Sequence, residues 1–187
     1  QFGAFTPVFR AHGSGSAREP WRVSGSYFDA VKSCIRQRSR LLPYIYSAAW
    51  QPASTGVPMM RPLSLEFPSD SSLYGSNAAY LSGEYMFGPG LLVAPVTSSG
   101  VSSWNVYLPA GEWYRLSDFS PCSAGAQSIP VTMGDIRVFV RAGAALPWDA
   151  DMDGVTDAVY LIPSSAETVS VWYEDDGVSN GYQSGEG

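Results

Sequence analysis

The first clear periodicity in the chain begins near residue 26. Phe28, Val31, Ile35, Leu42, Ile45 and Ala49 recur at spacings of three, four or seven, which is one face of a helical period. Arg36 and Arg40 fall four apart on another face, and Ser24 or Ser26 can cap the start. Pro43 sits inside the pattern and predicts a kink or split near Leu42, while Gly56 and Pro58 end the helical region. Beyond that point the period shortens. Met60–Phe67 reads as a strand and the Pro-Ser-Asp-Ser-Ser stretch at 68–72 as a turn. Leu91–Ala94 is a continuous apolar run stopped by Pro95, the pattern of a buried strand. Trp104, Val106 and Leu108 alternate with Ser103, Asn105 and Tyr107. Pro109-Ala110-Gly111 then turns the chain, and Trp113-Tyr114-Arg115 starts the return strand. Val138–Val140, Val159–Ile162 and Val169–Tyr173 continue the series. Short strands separated by Gly/Pro turns predict an antiparallel sandwich from about residue 75 onward, with the change of period at 60–80 as the domain boundary. Residues 1–26 are rich in Gly, Pro and Ser with aromatics between them, a loop composition with anchoring side chains.

Composition narrows the function classes. Apolar residues make up 45% of the 187 and charged residues 15%, a globular balance. No run of 18 apolar residues is present, so neither a membrane-spanning helix nor a membrane partner is expected. The net charge of −6 argues against a nucleic-acid partner, whose phosphates call for a basic stripe. One histidine, His12, and two cysteines, Cys34 and Cys122, are scant material for a transition-metal site, and no cofactor is expected. The cysteines could pair or stay reduced; spacing does not decide. The chain opens on Gln1 without a basic and apolar leader and reads as an internal piece of a longer protein, so compartment stays open, with a secreted or periplasmic location slightly favoured.

Several clusters carry chemistry, each with a plainer alternative. Gln1–Gly13 is dense in aromatics and ends in Arg10 and His12. Aromatic faces beside hydrogen-bonding groups suit sugar rings, and His12 could donate to a hydroxyl; a loop histidine bonded to backbone is the plainer alternative. Arg18-Glu19-Pro20-Trp21 is either a sugar-contacting loop or a local ion pair over a tryptophan. Arg36, Arg38 and Arg40 read as a solvated or interdomain face. Asp149, Asp151, Asp153, Gly154 and Asp157 match the front of a calcium loop, but Tyr160 stands where a bidentate Glu is needed, and an acidic hairpin turn is the default. Glu174–Gly177 is likewise a turn. A glycosidase needs two carboxylates, and nothing marks any two of Glu19, Asp29, Glu66 and Asp70 as such a pair.

The phrases Gln1–Gly13 and Arg18–Trp21 resemble the late barrel region of glycoside hydrolase family 31, which includes α-glucosidases and α-xylosidases. Arg40–Tyr46, Met60–Leu63, Glu66–Pro68 and Tyr85–Val96 fit the same pattern. Val106–Tyr114 and Val138–Gly143 resemble the sandwich domain that follows, and Tyr173–Gly177 the opening of a more distal β-domain. The resemblance implies an α+β chain by content: the C-terminal end of a (β/α)8 barrel over residues 1–75, a proximal β-sandwich over 76–149, and an incomplete distal β-domain over 150–187. Met60–Phe67 then lies near the last barrel strand. The implied activity is that of a retaining, exo-acting α-glycoside hydrolase on oligosaccharide or glycoside substrates, through a covalent glycosyl-enzyme. His12 matches the family's histidine that binds sugar hydroxyls in the −1 subsite, with Arg10 and Phe9 as supports. The family's two catalytic aspartates match nothing here and are expected on the upstream barrel, in the remainder of the same polypeptide. The competing class is a non-catalytic carbohydrate-binding or scaffolding module. The glucosidase and xylosidase types are not separated, although Phe9–Gly13 followed by Arg18–Trp21 leans to the xylosidase-like branch.

Overall fold

The computed structural model describes residues 2–75, 83–134 and 137–185; the boundary expected between 75 and 76 adjoins residues outside that set. Two helices come first, α1 (Ser26–Arg40) and α2 (Leu42–Thr55), separated at Leu41 as Pro43 requires. The start of α1 is not capped by serine: Gly25 holds the N-cap position with φ 62°, and the Ser26 hydroxyl turns instead toward the Met133 sulfur at 3.7 Å. Gly56 closes α2 in the left-handed conformation, its N–H donating to the Pro52 carbonyl.

The strand expected over Met60–Phe67 is shorter than its sequence pattern. It runs as β1 (Met60–Pro62) and gives way to one helical turn, α3 (Leu63–Glu66), because Pro62 has no N–H to extend a ladder. The strands that follow are β2 (Tyr85–Phe87), β3 (Leu91–Ala94), β4 (Ser103–Leu108), β5 (Trp113–Arg115), β6 (Pro121–Cys122), β7 (Gly125–Pro130), β8 (Arg137–Arg141), β9 (Ala145–Trp148) and β10 (Ala158–Leu161). Six form one sheet in the order β1-β2-β3-β8-β5-β6, every paired neighbour antiparallel. β4 pairs with β7, and β9 with β10. The turn at Pro109–Gly111 therefore does not make a hairpin. β5 leaves its predecessor β4 and joins the other sheet, where Trp113 Nε1 donates back to the Pro109 carbonyl at 2.8 Å and locks the corner.

Strand alternation sorts the core into two layers. Met86, Leu92, Ala94 and Phe139 face the β4–β7 pair, with Val106, Leu108, Trp113 and Leu63. Tyr85, Phe87, Leu91, Val93, Val138 and Val140 face the helices, with Phe5, Leu41, Tyr44, Ile45 and Ala48. Covering both faces explains why β2 and β3 are apolar throughout rather than alternating. The Tyr44 hydroxyl ties α2 to the sheet by donating to the Phe87 carbonyl at 2.7 Å and accepting from Gly90 N–H at 3.0 Å. Burial holds its phenol far above the ordinary tyrosine range. Arg61 is 3% exposed, and its charge is met by Glu66, 2.7 Å from the guanidinium; the other Glu66 oxygen accepts from Arg141 at 2.8 Å. That pairing matters because an unmatched buried charge would cost several kcal/mol.

No ladder forms over Val169–Tyr173, which was expected to be a strand. Side-chain hydroxyls make the attachments instead: Ser170 Oγ bridges the Gly143 carbonyl and Ala145 N–H, and Tyr173 N–H donates to Ser47 Oγ. Tyr173 stacks on Trp50 with centroids 5.4 Å apart, and Asp175 accepts from both Tyr46 and Tyr173. Those phenols hold the Asp175 carboxyl below its ordinary range. Among the described residues no helix is long and apolar enough to cross a membrane.

Candidate functional site

The segment carrying His12 leaves the core abruptly. Ala4 and Phe5 are buried, Phe5 edge-on to Phe87, whereas every residue from Pro7 to Arg18 is exposed. The Tyr85 hydroxyl fixes the departure point by donating to the Phe5 carbonyl at 2.9 Å. The rest of the positioning comes from Arg38. Its guanidinium donates to the carbonyls of Ala4 (2.8 Å), Thr6 (2.8 Å) and Pro7 (3.3 Å) and lies 5.3 Å from the centre of the Phe9 ring. One cation thus satisfies three loop carbonyls and supports an aromatic face. The single Thr6 hydroxyl proton has two carbonyls within reach, those of Gly3 and Val8, each 2.8 Å from Oγ1.

At the tip, Arg10 donates to His12 Nδ1 at 2.7 Å. With Nδ1 accepting, the neutral ring carries its proton on Nε2, which can then donate to a hydroxyl. Gly13 is required next, since a Cβ there would meet the Ser16 carbonyl oxygen and the Arg18 side chain. The structure brings Arg10 and His12 into contact and sets Phe9 under Arg38 a few residues away. The Arg18–Trp21 stretch does not form the expected cover. Glu19 pairs with Arg22 at 3.7 Å rather than with Arg18, and Trp21 is 73% exposed.

Sequence reading placed Arg38 on a solvated or interdomain face and missed its clamp. A signal was available: positions 28, 31, 35 and 38 step by three and four along α1, and Arg38 is the one charged residue of that face. The series does not continue into α2, where Leu42 and Ala49 are exposed and Tyr44, Ile45 and Ala48 turn inward, because the break at Leu41 resets the helical register.

Three of the four early carboxylates are engaged structurally. Glu66 is held by two arginines, Asp70 accepts from the Tyr107 hydroxyl at 2.6 Å and caps Ser72, and Glu19 meets Arg22. Asp149, Asp151 and Asp153 bring one oxygen each within 4.8 Å of one another in the turn between β9 and β10. Asp149 accepts from the N–H groups of Met152, Asp153 and Gly154, and Asp157 from Ala150, the bonding of an acidic turn. Like charge from Asp153 raises the Asp151 carboxyl. Cys34 and Cys122 are both free thiols.

Two family models match. The glycosyl hydrolases family 31 TIM-barrel domain aligns with residues 1–48, and the glycosyl hydrolase family 31 C-terminal domain with residues 56–146. An α-xylosidase from Saccharolobus solfataricus is 35% identical, aligned with 99% of this chain and 26% of its own length. A probable glucan 1,3-α-glucosidase from Oryza sativa subsp. japonica is 38% identical, over 99% of this chain and 21% of its own. Among solved structures, the family 31 dextranase of Flavobacterium johnsoniae complexed with isomaltotriose superposes with a TM-score of 0.84 at 32% identity, over 98% of this chain and 23% of that one. A family 31 α-xylosidase from Xanthomonas citri gives 0.80 at 36% identity, over 99% of this chain and 21% of its own. The chain spans about a quarter of the length of such relatives. Matches to both family 31 domains in order along the chain, with nearly all of it aligned to these enzymes, place the chain in glycoside hydrolase family 31.

Proposed function

We propose that the complete polypeptide is a retaining, exo-acting α-glycoside hydrolase of the α-glucosidase or α-xylosidase type. This chain contributes the end of the catalytic barrel, the proximal sandwich and the start of a distal β-domain. His12 binds substrate hydroxyls through Nε2, and Arg10 and Phe9 support it. The observation that carries this reading is the Arg10–His12 contact of 2.7 Å, on a loop clamped by Arg38, within a segment aligned to the family barrel.

The chemistry follows from the family's double displacement. An upstream carboxylate attacks the anomeric carbon while a second acid protonates the leaving oxygen, and water then hydrolyses the glycosyl-enzyme. No acid of this chain takes either role. A hydrogen bond from His12 to the sugar contributes only as far as it strengthens while charge develops on the ring. The names of the relatives include both xylosidase and glucosidase, so the sugar at the non-reducing end is left at that pair.

The test is steady-state hydrolysis of aryl α-glucoside and α-xyloside by the complete enzyme and by its His12→Ala variant. A drop in kcat/KM on the preferred substrate is expected. An unchanged value removes His12 from the pocket, and absence of any hydrolysis by the complete wild-type enzyme favours the non-catalytic binding module.

A further inference from the structure

The chain carries a net charge of −6, yet five of its 11 basic residues line one cleft. Lys32, Arg36 and Arg40 enter it from α1, where they recur every four residues, and Arg115 and Arg137 enter from the neighbouring strands β5 and β8. The cleft has a volume of about 700 Å3. Asp29 is the one carboxylate among its described lining residues, and Asp118, next to it in sequence terms through Ser117, holds Arg115 at 3.2 Å.

Such convergence is unfavourable by itself. Like charges four apart on a helix repel, while on the strands Arg115 is met by Asp118 and Arg137 donates to the Pro130 carbonyl. Arg115 pairs with Phe139, which sets Arg137 diagonal to it. Arg40 adds a second sign: its Nε–H is buried and has no hydrogen-bond partner among the described residues. A buried donor without an acceptor costs on the order of 1–3 kcal/mol unless a ligand supplies the acceptor. One wall is aromatic. Phe119 and Trp148 both pack on Tyr160, with ring centroids 5.5 and 5.8 Å away. The acidic turn that follows β9 keeps its charge out of the cleft: Asp149 N–H bonds to the Arg40 carbonyl, and its carboxylate is turned onto its own loop.

We propose that this cleft, between α1 and the sandwich, binds a phosphate dianion, either free or carried on a sugar whose ring rests on the Trp148–Tyr160 wall. Several guanidinium forks match the multiple oxygens of phosphate better than the two of a carboxylate. The site is separate from the His12 loop, none of whose residues line it.

Calorimetric titration of the complete polypeptide with inorganic phosphate, glucose 6-phosphate, glucuronate and glucose tests the assignment. Saturable phosphate binding is expected, weakened about tenfold or more by Arg36→Gln and unchanged by His12→Ala. It should also weaken several-fold between about 20 and about 200 mM salt. Tighter binding of glucose 6-phosphate than of phosphate assigns the phosphosugar; equal binding assigns the free anion. Absence of phosphate binding, or binding indifferent to Arg36→Gln, overturns the proposal. Glucuronate binding as well as glucose 6-phosphate overturns the phosphate selectivity. Arg36 is exposed on the helix, and Lys32→Gln, equally exposed, gives an independent variant with the same expected direction.

Discussion

β3 buries all four of its residues, whereas the loop from Pro7 to Arg18 buries none. The strand is held by contacts on both faces, to α2 on one side and to the β4–β7 pair on the other. The loop is held by the Arg38 guanidinium, the Tyr85 hydroxyl and the Thr6 side chain. Packing is non-directional and shared among many atoms, so the sheet tolerates small shifts but punishes lost volume. Polar anchors are directional and few, so the loop can keep an exposed imidazole in one place at little cost in buried surface, and losing one anchor misplaces it.

Five measurements bear on that contrast, from the largest effect down. Trp113 is 2% exposed, donates to Pro109 and packs edge-on to Phe67, so Trp113→Ala should destabilise the protein by roughly 3–5 kcal/mol in denaturant unfolding. A loss below about 1 kcal/mol would mean the corner is not held by packing. His12→Ala should leave the unfolding midpoint unchanged while lowering kcat/KM of the complete enzyme by about 100-fold, the scale of a lost transition-state hydrogen bond. A large stability change with normal kcat/KM would invert the contrast.

Glu84 is a third case, a polar group inside the packed region. It is 6% exposed, accepts from Tyr107 N–H at 2.9 Å through one oxygen, and burial pushes its carboxyl up to about 8. The folded state therefore holds a proton that the unfolded chain releases near the ordinary glutamate pKa of about 4.3. Stability from this group is full below that value and declines as pH rises toward about 8. Glu84→Gln keeps an acceptor for Tyr107 and should flatten the pH dependence, gaining on the order of a few kcal/mol relative to wild type at pH 8 and nothing at pH 4. Parallel pH curves for the two proteins would show that Glu84 is hydrated.

Arg38→Gln should lower kcat/KM by about tenfold through misplacement of the loop and lower the unfolding midpoint modestly, because the exposed Pro7 carbonyl can take water whereas the part-buried carbonyls of Ala4 and Thr6 lose a donor. Restoration by Arg38→Lys should be poor, since an ammonium has no planar fork to span Ala4, Thr6 and Pro7. Glu19→Gln should change neither quantity, as its 3.7 Å pair with Arg22 is exposed.

Much of this contrast was legible beforehand. The split helix followed from Pro43, the buried strand from the run Leu91–Ala94, and the turn between β9 and β10 from the Asp and Gly residues of 149–157. The resemblance singled out His12, but its bond to Arg10 depends on how the exposed tip turns. Arg38 was misjudged because a charge on a helix usually faces water; here the side of α1 that carries Arg38 lies against loop carbonyls. Val169–Tyr173 has the composition of a strand, but a strand also needs a ladder partner, and its neighbours offer hydroxyls and an indole face instead.

Local chemistry by itself determined some of the element ends and the faces within them: proline removes a donor at the split of the helices, glycine permits the left-handed cap of α2, and alternation assigns each strand residue to a face. Only the tertiary structure decided which elements meet. The two-residue period of β5 is the same whether it returns to β4 or crosses to β8, and Met60–Pro62 carries no mark of its pairing with Tyr85–Phe87. The same holds for the five cations of the α1 cleft, which come from three elements spread over residues 32–137 and gather only when helix and sheet pack. Backbone preference acts over a few residues, whereas pairing and charge convergence depend on contacts between residues distant in the chain.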